Sequence, residues 1–220
     1  MGRCGEARVI AVSLPLVGTD AVGQVVRAVG RVEPGLAARL HAGSETRPYA
    51  CERLPGAGRL LAWCFDAEIA AALLAGEATA RVVGHHAAAE AFGDGGERLT
   101  VTFRSPTHFR AARRDYLFPG PERLFADLLG RWRALGWPEV PEPNLNRVAG
   151  QIEAWRMATH PCDGGRARTG FVGRAVYDLW GASGRDREVL WALARFGSWR
   201  GAGAHTGYGM GRIGVGPEAG

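Results

Sequence analysis

The sequence predicts an α+β fold in which two βαββαβ units follow one another. Short apolar runs with β-branched residues alternate with amphipathic stretches, and the order strand, helix, two strands, helix, strand occurs twice. Each such unit is a ferredoxin-like (RRM-like) domain, so we expect two of them in tandem. No Pro/Ser-rich linker separates the halves, and we place the boundary near Gly95, giving an N-terminal domain of residues 1–95 and a C-terminal domain of residues 96–220.

The first half carries the clearest strand and helix patterns near its start. The apolar run 7–16 predicts a strand, and valines recur on one helical face of the stretch 21–32. Asp66 precedes an alanine- and leucine-rich stretch and is a candidate N-cap. The remaining predicted elements are a short helix at 35–43, paired strands at 46–54 and 59–67, a helix at 66–76 and a strand at 79–92.

The second half repeats this order. Pro121 occupies the favoured first position of an amphipathic helix, and Pro106 is expected to break the strand before it. We expect the tryptophans at 132, 155 and 191 to be core residues, while Trp199 could stack on a base. The predicted elements are strand 97–109, helix 121–135, strands 148–160 and 168–180, helix 186–197 and strand 211–216.

The composition points to a soluble protein with an anionic partner. The 220 residues carry 27 basic and 22 acidic side chains, and every basic one is arginine. Guanidinium groups suit phosphate, so nucleic acid is the first partner to consider, with a soluble enzyme rich in surface arginine as the alternative. No run of about 20 apolar residues predicts a membrane span, and the first residues predict a strand and not a signal peptide.

The cysteines and histidines do not have the spacing of a metal site. The four cysteines form no CxxC pair, and two of them lie in apolar runs. Buried free thiols in a reducing cytoplasm are the favoured interpretation, and no cofactor or metal is expected.

The stretch FGSWRGAGAHTGYGMGRIGV, at residues 196–215, contains seven glycines and follows a predicted helix. A dinucleotide-binding fold needs the glycines between a first strand and a helix, and a P-loop needs GK[ST], so both are excluded. A flexible turn that leads into an edge strand is an alternative interpretation of this stretch. We favour a nest of backbone amides that contacts phosphate, with Arg200 and Arg212 at its flanks.

These glycines also carry a resemblance. The GxG, five-residue spacer and G-hydrophobic-G pattern resembles the C-terminal signature of the RAMP superfamily of CRISPR-associated proteins. The segments TGFVGRAVYDL, TVTFRSPTHFR and ARLHAGSETRPYACERL are similar to segments of the CRISPR repeat-processing endoribonuclease, the Cas6 family. The four matches occur in order across most of the chain.

The resemblance implies metal-independent cleavage of CRISPR precursor RNA within each repeat, leaving 2′,3′-cyclic phosphate and 5′-hydroxyl ends. His41 matches the catalytic histidine, and Arg47 stands where the family often carries a lysine. An arginine is a poor proton donor, so Arg47 would stabilise charge and leave proton transfer to His41. Many members place a tyrosine on the first helix, which this chain lacks; Ser44 or Tyr49 are candidates to replace it.

The resemblance also implies RNA contacts in the second domain. A catalytically inert RAMP subunit that only binds guide RNA is the alternative function, and an unrelated basic enzyme for a small phosphorylated ligand is another. The predicted partners are precursor and mature repeat RNA, with CRISPR effector subunits and a second copy of the chain as further candidates and a cytoplasmic location. The predicted RNA-binding residues are Arg110, Arg113, Arg114, Arg166, Arg168, Arg200, Gly201, Gly203, His205, Gly209, Gly211 and Arg212.

Overall fold

The computed structural model of the chain describes residues 7–18, 20–42, 47–54, 56–93, 95–112, 114–162 and 167–217. The predicted RNA-binding residues Arg113 and Arg166, and the candidate Ser44, lie outside the described residues. None of the helices in the described part of the chain is long and apolar enough to cross a membrane.

The first half forms a four-stranded antiparallel sheet with helices on one side. Its elements are β1 (Arg8–Pro15), α1 (Ala21–Gly30), α2 (Pro34–Ala42), β2 (Tyr49–Leu54), β3 (Arg59–Cys64), α3 (Ala67–Gly76) and β4 (Arg81–Ala87). The strand order is β2-β3-β1-β4, and every neighbouring pair is antiparallel. This is the order of a ferredoxin-like sheet, with one helix more than the minimal unit.

Local sequence explains how the helices form and pack in this half. Val22, Val25 and Val29 are buried on one face of α1, as their spacing predicts. The carboxylate of Asp66 accepts a hydrogen bond of 2.8 Å from the amide of Glu68, which confirms it as the N-cap of α3.

The second half forms a second four-stranded antiparallel sheet. Its elements are β5 (Arg98–Thr107), β6 (Phe109–Ala111), β7 (Arg114–Tyr116), α4 (Pro121–Ala134), β8 (Ala149–Pro161), β9 (Ala167–Asp178), α5 (Gly184–Arg200) and β10 (Ile213–Pro217). The strand order β10-β5-β9-β8 again matches a ferredoxin-like fold, so the predicted tandem architecture is confirmed. The β6–β7 hairpin is an addition that the sequence pattern did not predict.

Two local predictions in this half need correction. Ser183, and not Asp186, is the N-cap of α5, because the Ser183 hydroxyl accepts from the amide of Asp186 at 3.1 Å. Strand β5 continues through Pro106 with an irregular register between Phe103 and Thr107 instead of ending there. The irregularity is what lets a strand accommodate a residue with no backbone N–H.

Helix α5 joins the two halves, because it packs between its own sheet and the sheet of the first half. The ring of Phe196 lies 5.8 Å from that of Phe65, and Trp199 stacks on His86 at 5.1 Å. Trp199 is therefore buried, with 9% of its surface exposed, and has no free face for a base. Trp155 departs from expectation in the other direction: it is 50% exposed on the edge strand β8.

Candidate functional site

Residues 201–212, which we call the glycine loop, connect α5 to β10. Its four signature glycines all have a left-handed φ, between 69° and 92°: Gly201, Gly203, Gly209 and Gly211. A side chain at Gly203 would also collide with the carbonyl of His108, and one at Gly211 with the carbonyl of Ala202. Glycine is therefore required by backbone conformation and by close approach.

The amides of these glycines are not free to bind an anion, which corrects the nest that the sequence suggested. Each donates to an acceptor within the protein: Gly201 to the carbonyl of Gly197 at 2.7 Å, Gly203 to Asp127 Oδ2 at 2.7 Å, Gly209 to the carbonyl of Thr206 at 3.1 Å, and Gly211 to the carbonyl of Pro106 at 3.0 Å. The four glycines shape the loop, and side chains around the loop carry its charge.

Arg200 and Arg212, the two predicted flanks of the loop, are both buried. Their exposed fractions are 1% and 4%. Arg200 donates to the hydroxyl of Thr206, and Arg212 donates to the carbonyls of Ser198 and Trp199 and to Glu52. These contacts hold the two guanidinium groups inside the protein, where they fix the loop in place.

A cavity of about 380 Å³ opens between the glycine loop, α4 and the start of β2. It contains four guanidinium groups and one carboxylate, and it includes three of the sequence-predicted arginines. The lining residues are Arg47, Arg110, Asp127, Arg131, Arg200, Ala204, His205, Thr206, Gly207 and Tyr208. Such a surplus of positive charge in a concave surface attracts an anion.

Asp127 and Arg131, one turn apart on α4, clamp the loop from the cavity side. Arg131 Nε lies 2.9 Å from Asp127 Oδ2, and Arg131 Nη2 donates to the carbonyl of Gly203 at 2.6 Å. The same carboxylate accepts the amide of Gly203. The backbone carbonyl and amide of Gly203 are thus both held by the Asp127–Arg131 ion pair. Because Asp127 is paired with Arg131, its charge opposes a bound anion only weakly.

Arg47 lies on the opposite wall, which belongs to the first half of the chain. Its guanidinium carbon is 5.4 Å from the centre of the Tyr208 ring, a cation–π distance. A side chain at Gly207 would touch both Arg47 and Val22, so the loop approaches α1 and β2 closely. Arg47 Nε is buried and has no hydrogen-bond acceptor among the described residues. The structure therefore brings Arg47 to the glycine loop, as a shared site requires.

Burial lowers the pKa of two groups that line the cavity, Arg200 and His205. The pKa of Arg200 falls to about 9 because burial disfavours its charge and Arg131 repels it. The pKa of His205 falls to about 4 through burial and through its neighbours His108, Arg168 and Arg110. At neutral pH the imidazole of His205 is uncharged, so it can accept or donate one hydrogen bond but adds no charge.

His41 is exposed in the last turn of α2 and does not line the cavity. Six residue steps separate it from Arg47, which limits the distance between their Cα atoms to about 22 Å. Arg47 thus lies in the cavity wall, and His41 lies outside the cavity at the end of α2.

The other predicted contacts lie near the β6–β7 hairpin. Arg110 Nε pairs with Asp115 Oδ1 at 3.1 Å and also lines the cavity, and Arg114 is exposed on β7. Arg168 stands opposite His160 in the β8–β9 register and is half-buried. Among the described residues, no three His, Cys, Asp or Glu side chains come together as a metal site.

Comparison with known proteins decides the family. The model of the CRISPR-associated endoribonuclease Cas6 family matches residues 101–213, which is about half of the chain and includes the glycine loop. The chain belongs to the Cas6 family. Cas6 of Mycobacterium tuberculosis is 32% identical over 126 residues, covering 56% of this chain and 40% of that protein. The match thus spans well under half the length of this curated Cas6 relative.

Solved Cas6 structures cover the chain more fully. Cas6 of Thermus thermophilus has a TM-score of 0.70 at 25% identity, over 94% of this chain and 97% of that one. A Cas6 product complex has a TM-score of 0.74 at 25% identity, over 95% and 99% of the two chains. A Cas6 substrate-mimic complex has a TM-score of 0.71 at 25% identity, over 96% and 100%. The predicted RAMP fold is confirmed.

Three charged or aromatic residues of the cavity were not predicted from the sequence: Asp127, Arg131 and Tyr208. The two α4 residues look like an ordinary i, i+4 ion pair on a solvated helix face. Tyr208 stands inside the glycine-rich stretch, where its position beside Arg47 depends on the fold of the other half. A signal for Tyr208 was available, because it is an aromatic residue in a stretch already expected to bind RNA.

Proposed function

We propose that this chain is an endoribonuclease that cuts CRISPR precursor RNA within each repeat. Membership of the Cas6 family supports the reaction class. The observation that carries the proposal is the cavity between the two halves, where Asp127 is the one carboxylate among the described lining residues and the guanidinium groups are those of Arg47, Arg110, Arg131 and Arg200. Arg131 pairs with that carboxylate and Arg110 pairs with Asp115, so about two positive charges, those of Arg47 and Arg200, remain for an anion.

A phosphodiester is the anion that fits this cavity best. Its charge would be compensated by the guanidinium groups of the cavity. The pKa of Arg200 is lowered mainly by burial and then by repulsion from Arg131, and a bound anion would oppose that repulsion. The Nε of Arg47, which has no acceptor among the described residues, is a donor that a phosphate oxygen could use. The volume of about 380 Å³ is sufficient for a nucleotide-sized group.

The proposed reaction is attack of a ribose 2′-oxygen on the adjacent phosphorus atom. The 2′-hydroxyl loses its proton, the new P–O bond forms, the bond to the 5′-oxygen breaks, and that oxygen takes a proton. The products carry a 2′,3′-cyclic phosphate and a 5′-hydroxyl. No metal ion is needed for this balance, provided that a side chain moves the proton and a cation stabilises the phosphorane oxygens.

His41 and Arg47 are the residues proposed for these two tasks. His41 is exposed, so RNA can reach its ring, and an imidazole can accept and return a proton near neutral pH. Arg47 is held against Tyr208 at the cavity wall, and its planar donors can bind two phosphate oxygens. RNA seated in the cavity must therefore extend towards the end of α2 for both groups to act.

A cleavage assay on end-labelled repeat RNA from the same genome tests the proposal. We expect cutting at one position in EDTA, and no cutting when the nucleotide before that bond carries a 2′-deoxyribose. The upstream product should shift on a gel after phosphatase treatment only if its cyclic phosphate has been opened by acid. Tight binding without cutting would contradict the proposal and favour a guide-RNA-binding subunit. Cutting that requires Mg²⁺ would contradict the proposed mechanism.

A further inference from the structure

A second surface, outside the cavity, presents apolar side chains to solvent. Trp155 is 50% exposed, Phe118 is 61% exposed and Leu117 is 37% exposed. Trp155 lies on the edge strand β8, and the other two follow the β6–β7 hairpin. We call Trp155 and Phe118 the aromatic platform.

The indole of Trp155 is hydrogen-bonded to a neighbouring segment. Its Nε1 donates to the carbonyl of Leu117 at 3.3 Å, which ties the ring to the segment that follows the hairpin. Its partner in the register with β9 is Gly173, which has no side chain to cover the ring. A large, flat ring held in place with an open face loses little conformational entropy when a planar group stacks on it.

Arginines lie on the elements that adjoin the platform in the chain, β7 and α4. Arg123 lies over the ring of Tyr116 at 4.2 Å, and Arg114 is exposed on β7. Arg110 lines the cavity and pairs with Asp115 in the hairpin register. Leu117 stands two residues beyond Asp115, about 7 Å along the chain. A strand that leaves the cavity past Arg110 therefore reaches the platform within a few nucleotides.

We propose that Trp155, supported by Phe118, is a stacking platform for a base of the RNA that leaves the cavity. The inference rests on the proposed function, since it takes the ligand of the cavity to be RNA. The choice of RNA over a protein partner follows from charge. Arg114 and Arg123 lie on the adjoining elements β7 and α4. Two of the nearby carboxylates, Asp115 and Glu153, are paired with Arg110 and Arg174, while that of Glu122 lies near Phe118. Aromatic faces interleaved with arginine are typical of surfaces that bind single strands.

The test measures affinity for labelled 12-nucleotide oligoadenylate and oligouridylate by fluorescence anisotropy at fixed salt. Replacing an aromatic residue that stacks on one base lowers the affinity by about 5-fold to 100-fold. Trp155→Ala should therefore weaken binding of oligoadenylate by about tenfold, and that of oligouridylate by less, because adenine stacks more strongly. Trp155→Phe keeps a ring and should recover most of the lost affinity.

Trp180→Ala is the matched control. Trp180 is 75% exposed at the end of β9, outside the platform, so its removal should change neither affinity by more than about twofold. The salt dependence of binding should be the same in wild type and Trp155→Ala, because stacking releases no counterions.

Two results would overturn the inference. One is equal affinity of wild type and Trp155→Ala for both oligonucleotides. The other is a loss in Trp155→Phe as large as in Trp155→Ala, since that would point to the indole N–H bond and not to stacking. Failure of the proposed function is distinguishable, because it would appear as wild-type protein that never cuts repeat RNA, whatever the affinities of the Trp155 variants.

Discussion

Arg212 Nη2 lies 3.0 Å from Glu52 Oε2, and this ion pair links the end of the glycine loop to strand β2 of the first half. The same guanidinium donates to the carbonyls of Ser198 and Trp199 at 2.6 and 2.7 Å. Burial lowers the pKa of Arg212, while Glu52 opposes that shift. The loop is therefore anchored to both halves by one buried cation.

We expect Arg212→Ala to destabilise the protein strongly. The variant leaves Glu52 without its partner and two carbonyls without a donor, which costs about 3 kcal/mol or more in the free energy of unfolding. Urea unfolding followed by circular dichroism measures this. Arg133→Ala is the control, because Arg133 forms an exposed pair with Glu142 at 3.8 Å and should cost less than about 1 kcal/mol. Equal costs in the two variants would contradict the anchoring role.

Asp127→Ala should loosen the glycine loop without unfolding the protein. The variant removes the acceptor of the Gly203 amide, so hydrogen exchange across residues 203–208 should become faster, by about tenfold if the bond is worth about 1.4 kcal/mol. Asp127→Asn retains an amide oxygen that can accept the same bond and should exchange more slowly than Asp127→Ala. If residues 203–208 of Asp127→Ala exchanged at the wild-type rate, the loop would be held by other contacts.

Tyr208 is expected to position Arg47 through its ring and not through its hydroxyl. Tyr208→Leu removes the cation–π contact, worth about 1 kcal/mol, and should slow RNA cleavage by about fivefold. Tyr208→Phe keeps the ring and should stay within about twofold of wild type in single-turnover assays. A large loss in Tyr208→Phe would instead assign the chemistry to the phenol.

The sequence predicted the architecture well because it depends on periodic apolar patterns. Both strand orders follow from the alternation of strand and helix patterns. The β6–β7 hairpin was missed because its strands are three residues each, too short to show a period. Trp155 was misjudged because the exposure of an edge strand is a property of the whole sheet.

The site was harder to predict because charge alone does not show where a side chain points. Arg200 and Arg212 flank the glycines in sequence, yet both are buried. Arg200 donates a hydrogen bond to Thr206 within the loop, and Arg212 donates one to Glu52, which is distant in the chain. The sequence predicted that the glycines present free amides to phosphate. In the structure, glycine is required at these positions by the left-handed φ angles. Arg47 joins them through tertiary contacts.

Three histidines that are fully or partly buried predict a loss of stability in mild acid. Burial, and then nearby histidine and arginine charges, depress the pKa of His205 to about 4, and burial also lowers the pKa of His108 and of His160. The unfolded chain protonates these rings near pH 6.5, so stability should fall as the pH drops from about 6.5 towards 4. His205→Asn, which tolerates the left-handed φ of 61°, should reduce that fall by about 1 kcal/mol, after allowing for the screening of a partly exposed ring.

Urea unfolding of wild type and His205→Asn at pH 7 and pH 5 measures the difference. Carboxylates titrate in both proteins, so only the difference between the two pH dependences counts. A variant whose stability falls as steeply as that of wild type would show that His205 is equally protonated in the folded and unfolded chains.

The central claim is that a histidine at the end of α2 works with an arginine cavity to cut RNA, and the single-turnover rate of His41→Ala on labelled repeat RNA tests it most directly. We predict that the variant retains most of its affinity for the RNA but cuts at least about 100-fold more slowly than wild type. Cutting by His41→Ala at the wild-type rate would contradict the claim.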